Sequence, residues 1–230
     1  MSDRYLSRIA DSILQESLAA SGAVLIEGPK WCKKTRTGEE NAKSELSLQN
    51  PDTLPKNLAT IEVRPSLLLK GDTPRLIDEW QIAPVLWDAV RYAVNQRGTT
   101  GQFILTGSAT PVDNQVMHTG TGRILRMMMR PMSLFESGES TGSVSLKKLF
   151  SGEGDIAELA TLTLEDLAFA LARGGWPAAV TGPKERALRR AYDYVESIVN
   201  ADISRMDGRF RDGSVHSCIL SHAIRHPWQC

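Results

Sequence analysis

Apolar residues along this chain fall into two rhythms. Short continuous runs have the length of buried strands: Val24 to Ile26, the Leu76-Ile77 pair within Arg75 to Gln81, Phe103 to Leu105, and Ile124 to Met129. Between the runs, apolar positions recur at three- and four-residue steps. Tyr5, Leu6, Ile9, Ile13, Leu14 and Leu18 form one such stripe, which predicts a helix over residues 3–20 ended by Ser21-Gly22. Val85, Leu86, Ala89, Val90, Ala93 and Val94 form another, opened by Pro84 at a first-turn position and closed by Arg97-Gly98. A further helix is expected from Lys34 to about Ser44, weakened by about 1 kcal/mol by Gly38. A short strand from Glu45 to Leu48 follows it. Residues 51–73, with Pro55, Pro65 and Gly71, read as a polar surface excursion of loop or short helices, with Ser66 to Leu69 as a helical turn beneath it. Strand, helix and strand in this alternation predict a parallel sheet with helices on both faces. Met127, Met128 and Met129, at the end of the last strand, read as core filling.

From Pro131 the character changes. Ser137 to Gly142 is linker-like, and places the main domain boundary at residues 140–146. Lys147 to Phe150 predicts a short helix. Thr163 is placed to cap the next one, with Asp166 in the position usually taken by Glu, and Leu164, Leu167, Ala168 and Leu171 along it. Gly174-Gly175-Trp176-Pro177 makes a sharp turn, with Trp176 as an anchor between domains. A second helix is expected from Lys184 to about Arg205, burying Leu188, Tyr192, Val195 and Ile203 among others.

Composition narrows the field. The chain has 230 residues, 41% hydrophobic and 23% charged, the proportions of an ordinary globular protein. Its 27 basic and 27 acidic residues cancel, so no global field favours nucleic acid or a membrane surface. No run of about 18 apolar residues is present. Met1-Ser2-Asp3-Arg4-Tyr5 lacks the apolar centre of a secretory signal. Cys32, Cys218 and Cys230 cannot form a closed set of pairs, which points to a reducing, cytoplasmic setting. Cys218, His222, His226 and Cys230 stand four apart, but on one helix they would span about 18 Å and could not close a tetrahedron, and Pro227 would break that helix.

The chemistry is concentrated in three stretches. In Gly28-Pro29-Lys30-Trp31-Cys32-Lys33-Lys34-Thr35, Lys34 and Thr35 stand at the spacing of the last two positions of G-x-x-x-x-G-K-[ST] after a buried strand. In that loop, backbone N–H groups wrap phosphates, the lysine reaches the β and γ phosphates, and the hydroxyl ligates Mg²⁺. Lys33 replaces the second glycine, where backbone passes close to phosphate, and a side chain at a left-handed position costs about 1–2 kcal/mol. From the loop alone, a phosphate site and a basic surface turn after a strand both stand.

The second stretch is an apolar strand ending in Asp78 and Glu79. At a strand's end, twist lets both acids approach one ligand, with Asp78 holding Mg²⁺ and Glu79 deprotonating an attacking water. Two solvated acids at a strand exit are the plainer alternative. The third stretch ends in Thr106-Gly107-Ser108, where Thr106 or Ser108 could hydrogen-bond the water or the γ-phosphate, although many strands end in such turns. Residues 108–123, with Gly120 and Gly122, read as a loop near the nucleotide, followed by Arg123. Arg123, Arg126 and Arg130 together make a local basic patch.

GPKWCKKT, LIDEWQ, LTGSATP and HTGTGRILRMMMRPMSLFESGES together resemble the bacterial and archaeal AAA-type P-loop ATPases that carry an uncharacterised C-terminal domain after the ATPase core. The resemblance covers about residues 1–205. It implies an α/β fold, a three-layer P-loop sandwich whose sensor strand lies between the phosphate-loop strand and the acidic strand, and it implies ATP with Mg²⁺. The corresponding division is an ATPase core over 1–142, a helical lid over 143–206 packing on the nucleotide, and a poorly ordered start of the C-terminal domain over 207–230. By the same resemblance the nucleotide-binding residues are Gly28, Pro29, Lys30, Trp31, Cys32, Lys33, Lys34 and Thr35. Thr35 and Asp78 hold the metal, and Glu79, Ser108 and Arg123 are catalytic. Arg123 would contact a γ-phosphate, in its own or a neighbouring subunit, or simply be an exposed residue leading into a strand. Three functions follow from these residues: an ATP-binding module with turnover, a nucleotide sensor or interaction module without it, and a nucleic-acid-binding protein using the arginine patch. The partners expected are the nucleotide, and a second copy or a protein.

Overall fold

The computed structural model describes residues 5–107, 122–153, 159 and 161–197. Ser108 and most of the loop expected over 108–123, the last part of the helix expected to reach Arg205, the Cys218, His222, His226 and Cys230 series, and the 207–230 segment lie outside the described residues.

The apolar runs form strands as expected. They are β1 (Ala23–Glu27), β2 (Ser44–Ser47), β3 (Arg75–Asp78), β4 (Phe103–Thr106) and β5 (Ile124–Met128). Among the described residues these make one parallel sheet in the order β2-β3-β4-β1-β5. β4 thus lies between β1 and β3, the position that the family resemblance implied for it. The register sets Val24 beside Ile104 on one side and Leu125 on the other.

Helices fill the connections: α1 (Ile9–Ala20), α2 (Lys34–Asn41), α3 (Leu54–Val63), α4 (Val85–Arg97) and α5 (Leu146–Phe150). α4 contributes Leu86, Trp87 and Val90 to a core cluster with Leu25, Ile77 and Leu105 of the sheet. Trp80 and Trp87 meet there with ring centroids 5.0 Å apart. The neighbouring strand positions Val24, Leu76 and Ile104 point to the opposite face and are also fully buried, so both faces are covered. Each such side chain contributes roughly 1.5–3 kcal/mol by leaving water.

Two expectations change. The first helix starts at Ile9, because Arg8 is extended and its N–H donates to Asp11 Oδ2 at 2.7 Å. Of its apolar stripe only Leu14 and Leu18 are buried, while Ile9 and Ile13 are 48% and 45% exposed. The methionine run is not uniformly core: Met127 and Met129 are buried, but Met128 is 59% exposed, because β5 is an edge strand and its side chains alternate. The polar excursion takes the short-helix form of its two expected ones: α3, with Pro55 in its first turn, is followed by a single 3-10 turn over Pro65–Leu67.

The chain divides into two compact units, Met1–Gly154 and Asp155–Cys230. The stretch expected as the boundary lies inside the first unit. The second unit contains α6 (Leu164–Arg173), α7 (Pro177–Val180) and α8 (Lys184–Ser197). Thr163 caps α6 by accepting the Asp166 N–H at 3.1 Å, and Asp166 returns a bond to the Thr163 N–H. Trp176 stacks on Tyr194 of the same unit, with ring centroids 4.0 Å apart.

Candidate functional site

The site is built where β1, β3 and β4 end. β1 runs into Gly28, which has φ 144°, and a Cβ there would stand 2.1 Å from the Met129 carbonyl oxygen. Only glycine fits so close to the end of β5. The 28–33 loop then turns twice through left-handed backbone at non-glycine residues, Trp31 with φ 66° and Lys33 with φ 68°. Lys33 therefore keeps the conformation that the missing glycine would supply, at a cost of about 1–2 kcal/mol. Between them Cys32 is buried, its Sγ 4.0 Å from the Met129 carbonyl oxygen, and burial pushes its thiol pKa up. Trp31 is 48% exposed.

α2 begins directly after Lys33. Its first residue, Lys34, is only 8% exposed and donates from Nζ to the carbonyls of Gly28 (2.9 Å) and Pro29 (3.0 Å). The ammonium thus sits inside its own loop at a helix N-terminus, where backbone N–H groups and the helix dipole favour an anion. Thr35 Oγ1 donates to Asp78 Oδ1 at 2.8 Å. Thr106 Oγ1 donates to the same oxygen at 2.6 Å, and Gln49 Nε2 reaches Oδ2 at 3.3 Å. Asp78 is 2% exposed, so these donors carry most of its compensation for lost water.

Glu79 is turned by a left-handed backbone, φ 55° and ψ 48°. This kink, rather than the strand twist expected from the sequence, redirects the second acid at the end of β3. Gln81 Nε2 donates to Glu79 Oε2. Burial raises the Glu79 pKa, and the neighbouring Asp78 charge raises it further against the bond from Gln81.

Two oxygen ligands, Thr35 Oγ1 and Asp78 Oδ1, are thus adjacent beside the loop. That set suits a small hard cation shared with phosphate oxygens and water. Among the described residues no group of three or more His, Cys, Asp or Glu forms an all-protein cage.

The structure brings Gly28 to Thr35, Asp78 and Glu79 together at one edge of the sheet. It does not bring Arg123 there. Arg123 precedes β5 at the opposite edge, the length of a five-residue strand away, roughly 16 Å. Its backbone carbonyl accepts from Ala23 N and Ser21 Oγ, and its guanidinium reaches Asn95 Oδ1 at 3.3 Å. Arg126 lies 3.7 Å from Glu27. Sequence reasoning missed Gln49, whose place beside Asp78 follows from the β2–β3 pairing.

It also missed Arg8 and Glu136, which are tied by a buried ion pair at 2.9 Å. Burial alone would raise the Glu136 pKa, but the Ser133 and Ile9 N–H groups and the Arg8 guanidinium together hold it below the usual range. No local pattern signals a pair 128 residues apart.

A family model described as an AAA domain matches residues 20–137, which is 118 of the 230 residues. The chain belongs to the AAA domain family. The AAA domain match spans the 28–35 stretch, Asp78, Glu79, Thr106 and Arg123, and excludes most of α1. Among solved structures, the Walker-type ATPase PABY2304 of Pyrococcus abyssi matches with a TM-score of 0.51 at 15% identity, covering 88% of this chain and 75% of that one. That likeness establishes a P-loop ATPase-like α/β fold. No curated protein matches. No helix among the described residues is long and apolar enough to cross a membrane.

Proposed function

We propose that this AAA domain binds ATP with Mg²⁺ at the 28–35 loop and hydrolyses it slowly. The observation that carries the reading is the convergence of Thr35 and Thr106 on one buried oxygen of Asp78, beside a lysine lodged at the start of α2. In this reading Lys34 leaves the Gly28 and Pro29 carbonyls for the β and γ phosphates, and the loop N–H groups hold the remaining oxygens. Thr35 and Asp78 hold Mg²⁺, which neutralises charge developing on the transferred phosphoryl group. Glu79, with its raised pKa, takes the proton of the attacking water. Thr106, at the end of β4, is placed to sense the γ-phosphate, and Ser108 is assigned to the same task from the sequence. Arg123 belongs to the reading as a residue offered to a neighbouring protomer, since its own site is a strand's length away. The helices after residue 143 are assigned as the lid, and the setting as cytoplasmic.

A second reading is a nucleotide sensor without turnover. It is favoured by the two left-handed non-glycine residues in the loop, Trp31 and Lys33. One titration separates the readings: calorimetry of the full chain with ATP, with and without Mg²⁺, beside Lys34→Ala and Lys33→Gly. Mg²⁺-dependent binding lost at least tenfold in Lys34→Ala supports the site, at about 1.4 kcal/mol per factor of ten. Equal binding by Lys34→Ala would remove the phosphate-loop assignment. Lys33→Gly relieves about 1–2 kcal/mol of left-handed strain but adds about 0.4–1 kcal/mol of unfolded-chain freedom. Its stability should therefore be unchanged or higher by up to about 1.6 kcal/mol, while its ATPase rate rises if Lys33 is the obstacle to turnover. An unchanged rate assigns the slow step elsewhere.

A further inference from the structure

Arg8 is 6% exposed, and its guanidinium spends its donors on three separate parts of the chain. Nε bonds Glu136 Oε1 at 2.9 Å, Nη2 bonds the Arg130 carbonyl at 2.8 Å, and Nη1 bonds the Cys32 carbonyl at 3.1 Å. Glu136 is itself anchored, accepting from the N–H groups of Ile9 (2.9 Å) and Ser133 (2.8 Å) and from Ser133 Oγ (2.9 Å). Arg8 therefore cannot turn away without leaving a buried carboxylate behind.

The Cys32 carbonyl belongs to the one peptide unit that joins Cys32 to left-handed Lys33. A trans peptide is planar, so its C=O and the following N–H point in opposite directions. Holding the Cys32 oxygen toward Arg8 consequently fixes the Lys33 N–H away from Arg8. Trp31, one residue before Cys32, is also left-handed, so the segment that carries this peptide holds two residues of unfavourable backbone that an outside restraint must hold.

We propose that Arg8 is the positioning residue of the loop: through the Cys32 carbonyl it sets the direction of the Lys33 N–H, and Glu136 holds Arg8 in place to do so. This regulation of the loop rests on the ATP-binding reading for its consequence, though not for its geometry. It also makes the 130–136 segment a mechanical partner of the loop, so that displacement of Glu136 loosens the nucleotide contacts.

The test uses Trp31, which is half-exposed on the same loop. Acrylamide quenching of Trp31 is read in the full chain as the difference between the parent and a Trp31→Phe variant, and again in Arg8→Met and Arg8→Lys backgrounds. Leu86→Ala, a core change under α4, serves as a control of general destabilisation. MgATP affinity is measured alongside. Arg8→Met should raise Trp31 quenching and weaken MgATP on the order of tenfold, the loss of one charged hydrogen bond to the loop. Leu86→Ala should lower the melting temperature with Trp31 quenching unchanged. Arg8→Lys keeps the charge for Glu136 but lacks the planar fork for two carbonyls, so Trp31 quenching should rise there as well. If Arg8→Met does not fold, Arg8→Lys decides by the same two readings. Quenching identical to the parent in the folded Arg8 variants overturns the inference. Failure of every chain to bind MgATP overturns the ATP-binding reading, while Trp31 still decides whether Arg8 holds the loop.

Discussion

Glu79 sits at a kink, and burial of its carboxylate and then the neighbouring Asp78 charge raise its pKa. The sign of the effect on stability follows. The folded state holds the Glu79 proton more tightly than the unfolded chain, whose glutamate pKa is about 4.3. As pH rises past that value, ionisation therefore costs the folded state stability. Glu79→Gln should melt higher than the parent at pH 7 and equally at pH 3, by calorimetric melts across that range; a parent that melts higher at pH 7 would contradict the shift. The same substitution should abolish turnover while leaving MgATP affinity within about threefold, because the base acts after binding. At this scale the convergence of Lys34, Thr35 and Asp78 at the ends of β1 and β3 was legible because each stands in a short stretch directly after an apolar strand run. Gln49, Arg8 and Glu136 were not, because each meets its partner only after the sheet has assembled. Ser133 and Glu136 bond each other locally, and nothing in that pattern predicts an arginine from residue 8.

At the scale of elements, α2 shows how a locally poor choice becomes a good one. Gly38 weakens the helix, yet a Cβ there would stand 2.7 Å from the Leu76 side chain and 3.4 Å from that of Thr106. The helix therefore lies close on the sheet, which keeps Thr35 within reach of Asp78. Gly38→Ala should not deliver the roughly 1 kcal/mol that helix propensity alone promises. Overpacking of about 1–3 kcal/mol should make it net destabilising, and MgATP affinity should fall with it. A more stable Gly38→Ala, by urea titration, would show that α2 can lift without cost. The sequence predicted α4 nearly to the residue because its stripe is regular and its ends carry Pro84 and Gly98. It overextended α1, because Tyr5 and Leu6 continue the apolar spacing while Arg8 and Asp11 start the helix later through a backbone bond. It read the methionine run as core because periodicity cannot distinguish an edge strand from a central one.

For the whole molecule, the balance of 27 basic and 27 acidic residues has a direct consequence. Net charge near zero at pH 7 leaves little repulsion between copies, so solubility should be lowest close to the sequence pI of 6.9 and rise on either side. Static light scattering across pH 5–9 checks this, and a solubility minimum far from neutrality would point to buried or clustered charge controlling association. The fold class was legible from strand and helix rhythm, but not the division near residue 154, because the N–H groups of Ser137, Glu139 and Ser140 in the linker-like stretch bond back to the Ser133 and Leu134 carbonyls of the first unit.

The strand order also dictates a timetable for synthesis. β1 is made early, at Ala23–Glu27, but its two neighbours are Phe103–Thr106 and Ile124–Met128. A nascent chain must therefore carry the apolar Val24 to Ile26 run without a sheet partner until about eighty further residues have emerged, and without its second partner until about a hundred have. At 5–20 residues per second the first wait lasts roughly 4–16 s. During it the strand that later anchors the loop is a sticky, unpaired edge, and the last strand to arrive closes the loop's own foundation at Met129.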